Sequence, residues 1–192
     1  MPVQYFPVSW SQYHNFAQSL AEKILADNKK FDEIVAISRG GLTLGHLLSD
    51  LLRIPISTIT IQSYTDIQTQ GELKIIHPLQ SDIKNKQVLL VDDVSDSGKT
   101  LRRAISYLKD FHPKNVTTVT LFYKPHSIFR PDYFAKSTTR WILFPYEPTE
   151  MILLIKKSLE KEGKSKEEIE KFLVSLSFTP DQILFAQTYY PS

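Results

Sequence analysis

The segment from Val88 to Leu101, VLLVDDVSDSGKTL, holds the residues of this chain best suited to chemistry. An apolar run leads into two adjacent carboxylates, Asp92 and Asp93, and then into the small-residue turn Asp96-Ser97-Gly98-Lys99-Thr100. A glycine-containing turn that opens a helix leaves backbone N–H groups pointing outward at the helix N-terminus, and such a group of donors gathers an anion. Ser97 and Thr100 add hydroxyls to that set. The Walker pattern is excluded, because only Gly98 precedes the lysine and the leading glycine is missing, so one phosphate fits better than a polyphosphate chain. Neighbouring aspartates repel, and ionising both is costly unless something offsets the charge. Vicinal sugar hydroxyls and Mg²⁺, a hard ion satisfied by oxygen and water, would do so together. The string therefore reads as a site for a sugar phosphate with a divalent metal.

The elements that must position these groups follow from patterning. Ser9 or Ser11 can cap a helix running to about Lys29, with Phe16, Leu20, Ile24 and Leu25 on one face. Ile34 to Ile37 form an unbroken apolar run, so Phe31–Ser38 reads as a buried strand, and LTLGHLLSDLL to Leu52 as the next helix. Ile56–Tyr64 is β-branched and strand-like, and Thr65 to about Lys86 reads as a polar loop or hairpin. Gln87–Val91 is a strand, Gly98 to about Phe111 a helix, Val116–Phe122 a strand and Trp141–Phe144 a short one stopped by Pro145. After Pro148 the pattern becomes two helices about the Gly163 turn, with Ser165 and Glu168 as a capping box. Alternating strands and helices predict an α/β fold with a mostly parallel, twisted sheet flanked by helices. In such sheets ligands bind beyond the carboxyl ends of the strands, where the unusual stretches of this chain fall.

Composition narrows the field. Of 192 residues 42% are hydrophobic, enough for a core, and the net charge of +2 gives no basic face for nucleic acid. Cysteine is absent, which excludes disulfides and Cys-based zinc sites. No secretory signal is visible in MPVQYFPVSW, and no apolar run nears the ~20 residues of a membrane span, so a soluble cytoplasmic protein without integral membrane association is expected. Of the five histidines, His14 and His46 fall on helices and His77, His112 and His126 in loops or turns; none has ligand spacing, and surface or capping roles are expected.

VLLVDDVSDSGKTL resembles the phosphoribosyl-pyrophosphate signature of the type I phosphoribosyltransferases, and the chain is most similar to the xanthine-guanine and hypoxanthine (6-oxopurine) enzymes. The resemblance spans about residues 1–150, a phosphoribosyltransferase domain with a small hood, and leaves 151–192 as a helical C-terminal extension. It implies that Asp92 and Asp93 bind the ribose hydroxyls, with Asp93 at the Mg²⁺, and that Asp96, Ser97, Gly98, Lys99 and Thr100 hold the 5′-phosphate. VAISRGGLTLG resembles the pyrophosphate loop, implying that Ser38, Arg39, Gly40 and Gly41 bind the leaving pyrophosphate. QSYTDIQTQGELKI resembles the mobile flap, with Ser63 and Tyr64 closing over the substrate.

TLFYKPHS and RWILFPYE resemble the base-recognition segments of that group. By this likeness Lys124 donates to purine O6, Trp141 stacks on the ring, the backbone of Ile142 meets the base edge, and Asp96 is the general base at N7. A lysine can only donate, so it favours a keto oxygen over an amino group. Two departures stand out: Ser97 where threonine is commoner, and Tyr146 after Pro145 where the xanthine-guanine enzymes tend to have tryptophan. The implied reaction joins phosphoribosyl pyrophosphate to a purine base in a homodimer or homotetramer. Competing expectations are a non-catalytic sensor of phosphoribosyl pyrophosphate or a nucleotide, and a pyrimidine-specific enzyme that Lys124 with Trp141 disfavours.

Overall fold

The computed structural model describes residues 3–66 and 69–190, with the side chains of 63–72 outside the description. Its secondary structure runs β1 (Tyr5–Pro7), α1 (Trp10–Ala26), β2 (Glu33–Ser38), α2 (Gly41–Leu52), β3 (Ile56–Asp66), β4 (Thr69–His77), β5 (Gln87–Ser95), α3 (Lys99–Lys109), β6 (Asn115–Tyr123), β7 (Tyr133–Ser137), β8 (Trp141–Leu143), α4 (Pro148–Lys161), α5 (Lys166–Ser175) and α6 (Pro180–Tyr189). The chain divides into two compact units, residues 14–139 and residues 1–13 with 140–192, and the division falls inside α1.

The larger unit is built on a six-stranded sheet of order β4-β3-β2-β5-β6-β7. Every pairing is parallel except β3 with β4. This is the predicted α/β architecture, a mostly parallel sheet flanked by helices. The central strands are buried on both faces, which is why they read as unbroken apolar runs rather than as an alternation. Alternate side chains still part to opposite faces: Val35, Ile37, Val88 and Leu90 form one cluster with Leu101, Ala104 and Leu108 of α3. The polar stretch after Tyr64 resolves into the β3–β4 hairpin, with Ser63 in register with Leu73.

Two predicted boundaries shift for identifiable reasons. The strand β5 continues past Val91 to Ser95, because β6 pairs alongside it as far as Ser95 with Tyr123 while β2 stops pairing at Val91. Asp92 and Asp93 thus ride on a strand that outruns one neighbour. In α1 the chain turns out at Ala26 rather than near Lys29, with Asn28 at φ 54° in the left-handed region that ends helices. Leu25, expected on the buried face, is 57% exposed; the buried stripe is Tyr13, Ala17, Leu20, Ala21 and Ile24, and one further residue rotates out of it. Phe16 does pack, edge-on to Phe122 with ring centroids 5.6 Å apart.

The smaller unit pairs β1 with β8 in a two-stranded parallel sheet and carries three C-terminal helices where the sequence suggested two. The predicted capping box of α5 is present, with Glu168 N–H donating to Ser165 Oγ and Ser165 N–H to Glu168 Oε2 at 2.8 Å. The additional helix, α6, opens on a second such box, Thr179 with Gln182, and has Pro180 at its first position. Leu143, Met151, Ile152, Ile155, Ile169, Leu173 and Ile183 form its core. Among the described residues no helix is long and apolar enough to cross a membrane.

Truncating the fully buried Leu90 to alanine is expected to cost about 2–5 kcal/mol in urea unfolding, whereas Leu25→Ala should stay within about 0.5 kcal/mol.

Candidate active site

Because β2 and β5 are parallel neighbours, the loops leaving them open at the same end of the sheet. The β2–α2 loop carries Ser38, Arg39, Gly40 and Gly41, and the Ser38–Arg39 peptide is cis. The two loops are in contact through the missing β-carbons of the glycines. A Cβ on Gly40 would run into the Asp93 carboxylate, and one on Gly41 would strike the Val91 carbonyl. The structure therefore brings the predicted pyrophosphate segment against the paired aspartates.

Asp92 is buried, and Asp93 is half-buried beside it. Burial raises the Asp92 carboxyl well above the usual carboxylate range, and the charge of Asp93 raises it further; the Asp93 backbone N–H, donating to Asp92 Oδ1 at 3.0 Å, works the other way. The Val94 N–H likewise donates to Asp93 Oδ1 at 2.6 Å. Each carboxylate thus has one backbone donor from the residue that follows it.

Beyond Ser95 the chain turns through Asp96, Ser97 and Gly98 into α3. Gly98 has φ 79°, and a Cβ there would lie 2.6 Å from Ser127 Oγ and 2.7 Å from Phe129 N, so both conformation and space demand glycine. Gly40 and Gly98, the cap residues of α2 and α3, offer no side chain, and in α3 the Lys99 N–H donates to Ser97 Oγ at 3.3 Å. First-turn N–H groups need partners, and an uncapped terminus at the mouth of a sheet can take them from a ligand anion. Asp96, Ser97 and Lys99 are exposed and Thr100 half-buried. Arg103, one turn further along α3, donates from Nε to the Leu73 carbonyl at 3.1 Å, tying that helix to the β3–β4 hairpin.

The segment after β6 packs on this turn. Lys124 N–H donates to the Ser95 carbonyl at 3.0 Å, Ile128 N–H to the Ser97 carbonyl at 3.1 Å, and the Ser95 hydroxyl to the Phe129 carbonyl at 2.7 Å. Lys124 is buried, and burial lowers its ammonium from the usual lysine range while the nearby Asp96 charge offsets part of the effect. Sequence reasoning missed His126, whose Nε2 lies 3.0 Å from Asp96 Oδ1. The sequence marked it only by the two-residue step from Lys124, and its partner lies 30 residues away. Trp141 and Ile142 belong to the other unit, on β8: Trp141 is 53% exposed and its indole N–H donates to Met151 Sδ at 3.4 Å, while Ile142 is buried. Ser63 and Tyr64 lie on β3, but their side chains are outside the described residues.

Two helix N-termini and a pair of acids meet at one end of a mostly parallel sheet, the end at which α/β proteins bind their ligands. Residues 9–150 match the model of the phosphoribosyl transferase domain, and the chain belongs to that family, the type I phosphoribosyltransferases, related to the xanthine-guanine and hypoxanthine enzymes. A purine phosphoribosyltransferase from Pyrococcus horikoshii Ot3 is 35% identical, with a TM-score of 0.69 over 74% of this chain and 94% of that one. The xanthine-guanine-hypoxanthine phosphoribosyltransferase of Helicobacter pylori is 26% identical, at a TM-score of 0.66 over 78% and 97%. A hypothetical protein from Neisseria gonorrhoeae, solved with bound ppGpp, is also 26% identical, at 0.69 over 77% and 91%. The family match stops at residue 150, so α5 and α6 lie beyond it.

The raised Asp92 carboxyl has a stability consequence. A folded-state value above the unfolded one means that the native state binds the extra proton, so stability contributed by the protonated group is present below the unfolded carboxylate range and is lost as pH rises through the folded value. In ligand-free, metal-free buffer Asp92→Asn is therefore expected to melt higher than the wild type at pH 7, by about 2–4 °C for each kcal/mol of relieved repulsion, with the difference vanishing below about pH 4. Calorimetry against pH checks it; a variant that melts lower at pH 7 would contradict it.

Proposed function

We propose that the protein transfers the 5-phosphoribosyl group of phosphoribosyl pyrophosphate to N9 of a 6-oxopurine (guanine, xanthine or hypoxanthine), giving a nucleoside 5′-monophosphate and pyrophosphate. The observation that carries this reading is the contact of Gly40 with the Asp93 carboxylate beside a glycine-dependent, uncapped turn at Gly98, which gathers donors for two phosphoryl groups around one pair of acids. Family membership supports the phosphoribosyl half of the reaction, and the purine names of two relatives, 35% and 26% identical, support the acceptor.

In this reading the amides and hydroxyls from Asp96 to Thr100 hold the 5′-phosphate, with Lys99 at the rim. Asp92 and Asp93 accept from the ribose 2′- and 3′-hydroxyls. Ser38, Arg39, Gly40 and Gly41 bring amides and a guanidinium to the pyrophosphate. Lys124 donates to purine O6, Trp141 stacks on the ring, and the Ile142 backbone meets the base edge. The low-lying ammonium of Lys124 remains a donor in either protonation state, which suits it to a keto oxygen.

The donor chemistry also fits Mg²⁺. That ion takes one or two carboxylates and completes its shell with substrate phosphates and water rather than with a protein cage. Among the described residues no group of three or more His, Cys, Asp or Glu is poised to form such a cage, while Asp92 and Asp93 stand together, with Asp93 against the pyrophosphate loop. Asp93, aided by Asp92, would hold the ion, which when bound supplies positive charge to the departing pyrophosphate.

The ribose C1′–O bond breaks largely ahead of attack, and its electron pair leaves with the pyrophosphate. Arg39 meets the charge that develops there. Purine N9 attacks C1′ with its lone pair as Asp96 takes the proton from N7, so the purine is neutral in the nucleotide formed and the aspartate becomes a carboxylic acid. Closure of the Ser63–Tyr64 flap would exclude water from the activated sugar. The reading carries with it a cytoplasmic enzyme acting as a homodimer or homotetramer, in which residues 1–150 form the transferase domain and 151–192 a helical extension.

Incubation with Mg²⁺, phosphoribosyl pyrophosphate and each of guanine, xanthine, hypoxanthine, adenine, orotate and uracil is expected to release pyrophosphate with at least one 6-oxopurine and to stop on chelation. Release with no base, alongside tight binding of phosphoribosyl pyrophosphate, would instead make the protein a sensor. The Asp96→Ala variant should lose about 10²–10⁴-fold in kcat, with calorimetric affinity for phosphoribosyl pyrophosphate little changed; equal losses in both would remove Asp96 as the base.

A further inference from the structure

The loop after β6 sends a second polar side chain toward the phosphate turn, in addition to Lys124. His126 Nε2 meets Asp96 Oδ1 at 3.0 Å, although the two side chains are 64% and 65% exposed. Exposed charged pairs on free loops seldom keep one geometry, because ordering two side chains offsets a small attraction. Here the backbones are fixed before the side chains meet. Bonds from Lys124 N–H to Ser95 O and from Ile128 N–H to Ser97 O bracket position 126 on both sides. Ser127 joins the same clamp, its hydroxyl 2.9 Å from that of Ser95, and it stands against Gly98 where a β-carbon would have to be. The meeting of His126 with Asp96 is thus built into the join between the two loops.

A carboxylate has two oxygens, and general-base work needs one of them aimed at the substrate proton. Resting on the reading of Asp96 as that base, we propose that His126 is its positioning residue: donating from Nε2 to Oδ1, it holds the carboxylate in one rotamer and leaves Oδ2 to accept the N7 proton. The step balances without a further reagent. The N7–H proton moves to Oδ2, its electron pair stays in the purine ring, and His126 keeps its own proton throughout. The other charged group facing Asp96 is the Lys124 ammonium. It acts on the carboxylate through its charge, whereas the His126 ring nitrogen is seated on Oδ1 itself at 3.0 Å.

Steady-state kinetics on the full chain test this, using whichever base the wild type turns over best, with His126→Ala, His126→Gln, Asp96→Asn and the double variant. His126→Ala is expected to lower kcat by about 3- to 10-fold, the rate equivalent of one ordinary hydrogen bond, and to leave KM for phosphoribosyl pyrophosphate within about twofold. His126→Gln, whose amide can donate from a similar reach, should restore most of the loss, and His126→Ala should have no further effect once Asp96 is asparagine. Undiminished kcat in His126→Ala, failure of glutamine to rescue, or the same loss in the Asp96→Asn background would each overturn the proposal. A second readout needs no turnover: the His126 ring ¹⁵N signals should move in Asp96→Asn, and signals that stay put would defeat the pairing even in an active enzyme. A wild type inactive with every base defeats the general-base reading, and the positioning role with it, whatever the ring signals show.

Discussion

Everything at the mouth of the sheet depends on two missing β-carbons. Gly40 and Gly41 let the β2–α2 loop lie directly against the end of β5, so that backbone occupies the space beside Asp93 and the Val91 carbonyl. Any side chain at either position would push the loop off the strand and separate the donors expected to hold a leaving group from the acids expected to hold the sugar. The extra length of β5 completes the arrangement. By continuing along β6 after β2 has stopped pairing, it carries Asp92 and Asp93 to where one side of the strand is open for that loop. The burial that results raises the Asp92 carboxyl, a cost in the empty protein that a ligand bearing hydroxyls and a cation would relieve.

Much of this was legible in residue order. Strands buried on both faces announce themselves as unbroken aliphatic runs, and β2 and β5 were visible for that reason, while β6 mixes Thr117, Thr118 and Thr120 with its apolar residues. The phosphate turn was visible because its chemistry is local: a strand, a glycine with φ 79° and a helix start fall within a few consecutive residues. Features that depend on distant parts of the chain were not. β1 is three residues long and is a strand only through its pairing with β8, which the sequence did mark, more than 130 positions away. Leu25 looked buried because helical spacing admits it to the stripe, but it lies one position past Ile24 and turns out of it. His126 has no motif of its own; its partner is supplied by the way two loops close on each other. The third C-terminal helix was missed although Thr179, Pro180 and Gln182 spell out its start, because the apolar spacing after it is short.

Helix starts take two forms. In α1, α5 and α6 a hydroxyl and a glutamine or glutamate satisfy first-turn donors reciprocally, through Ser9 with Gln12, Ser165 with Glu168 and Thr179 with Gln182. The other described helices, α2, α3 and α4, follow Gly40, Gly98 and Glu147 without a side-chain bond from the cap residue. A cap contributes about 1 kcal/mol to a helix, and these helices are held instead by the packing of their buried faces, Leu44 and Leu48 in α2, Leu101, Ala104 and Leu108 in α3, and Met151, Ile152 and Ile155 in α4.

The guanidinium of Arg103 adds a polar tie between two parts of the larger unit that also share an apolar cluster. Its bond to the Leu73 carbonyl fastens α3 to β4, and Leu73 is the register partner of Ser63 on β3. One side chain on the second turn of α3 thus ties that helix to the rung of the hairpin opposite Ser63, so the helix that follows Gly98 and the strand pair that resembles a flap share a common anchor.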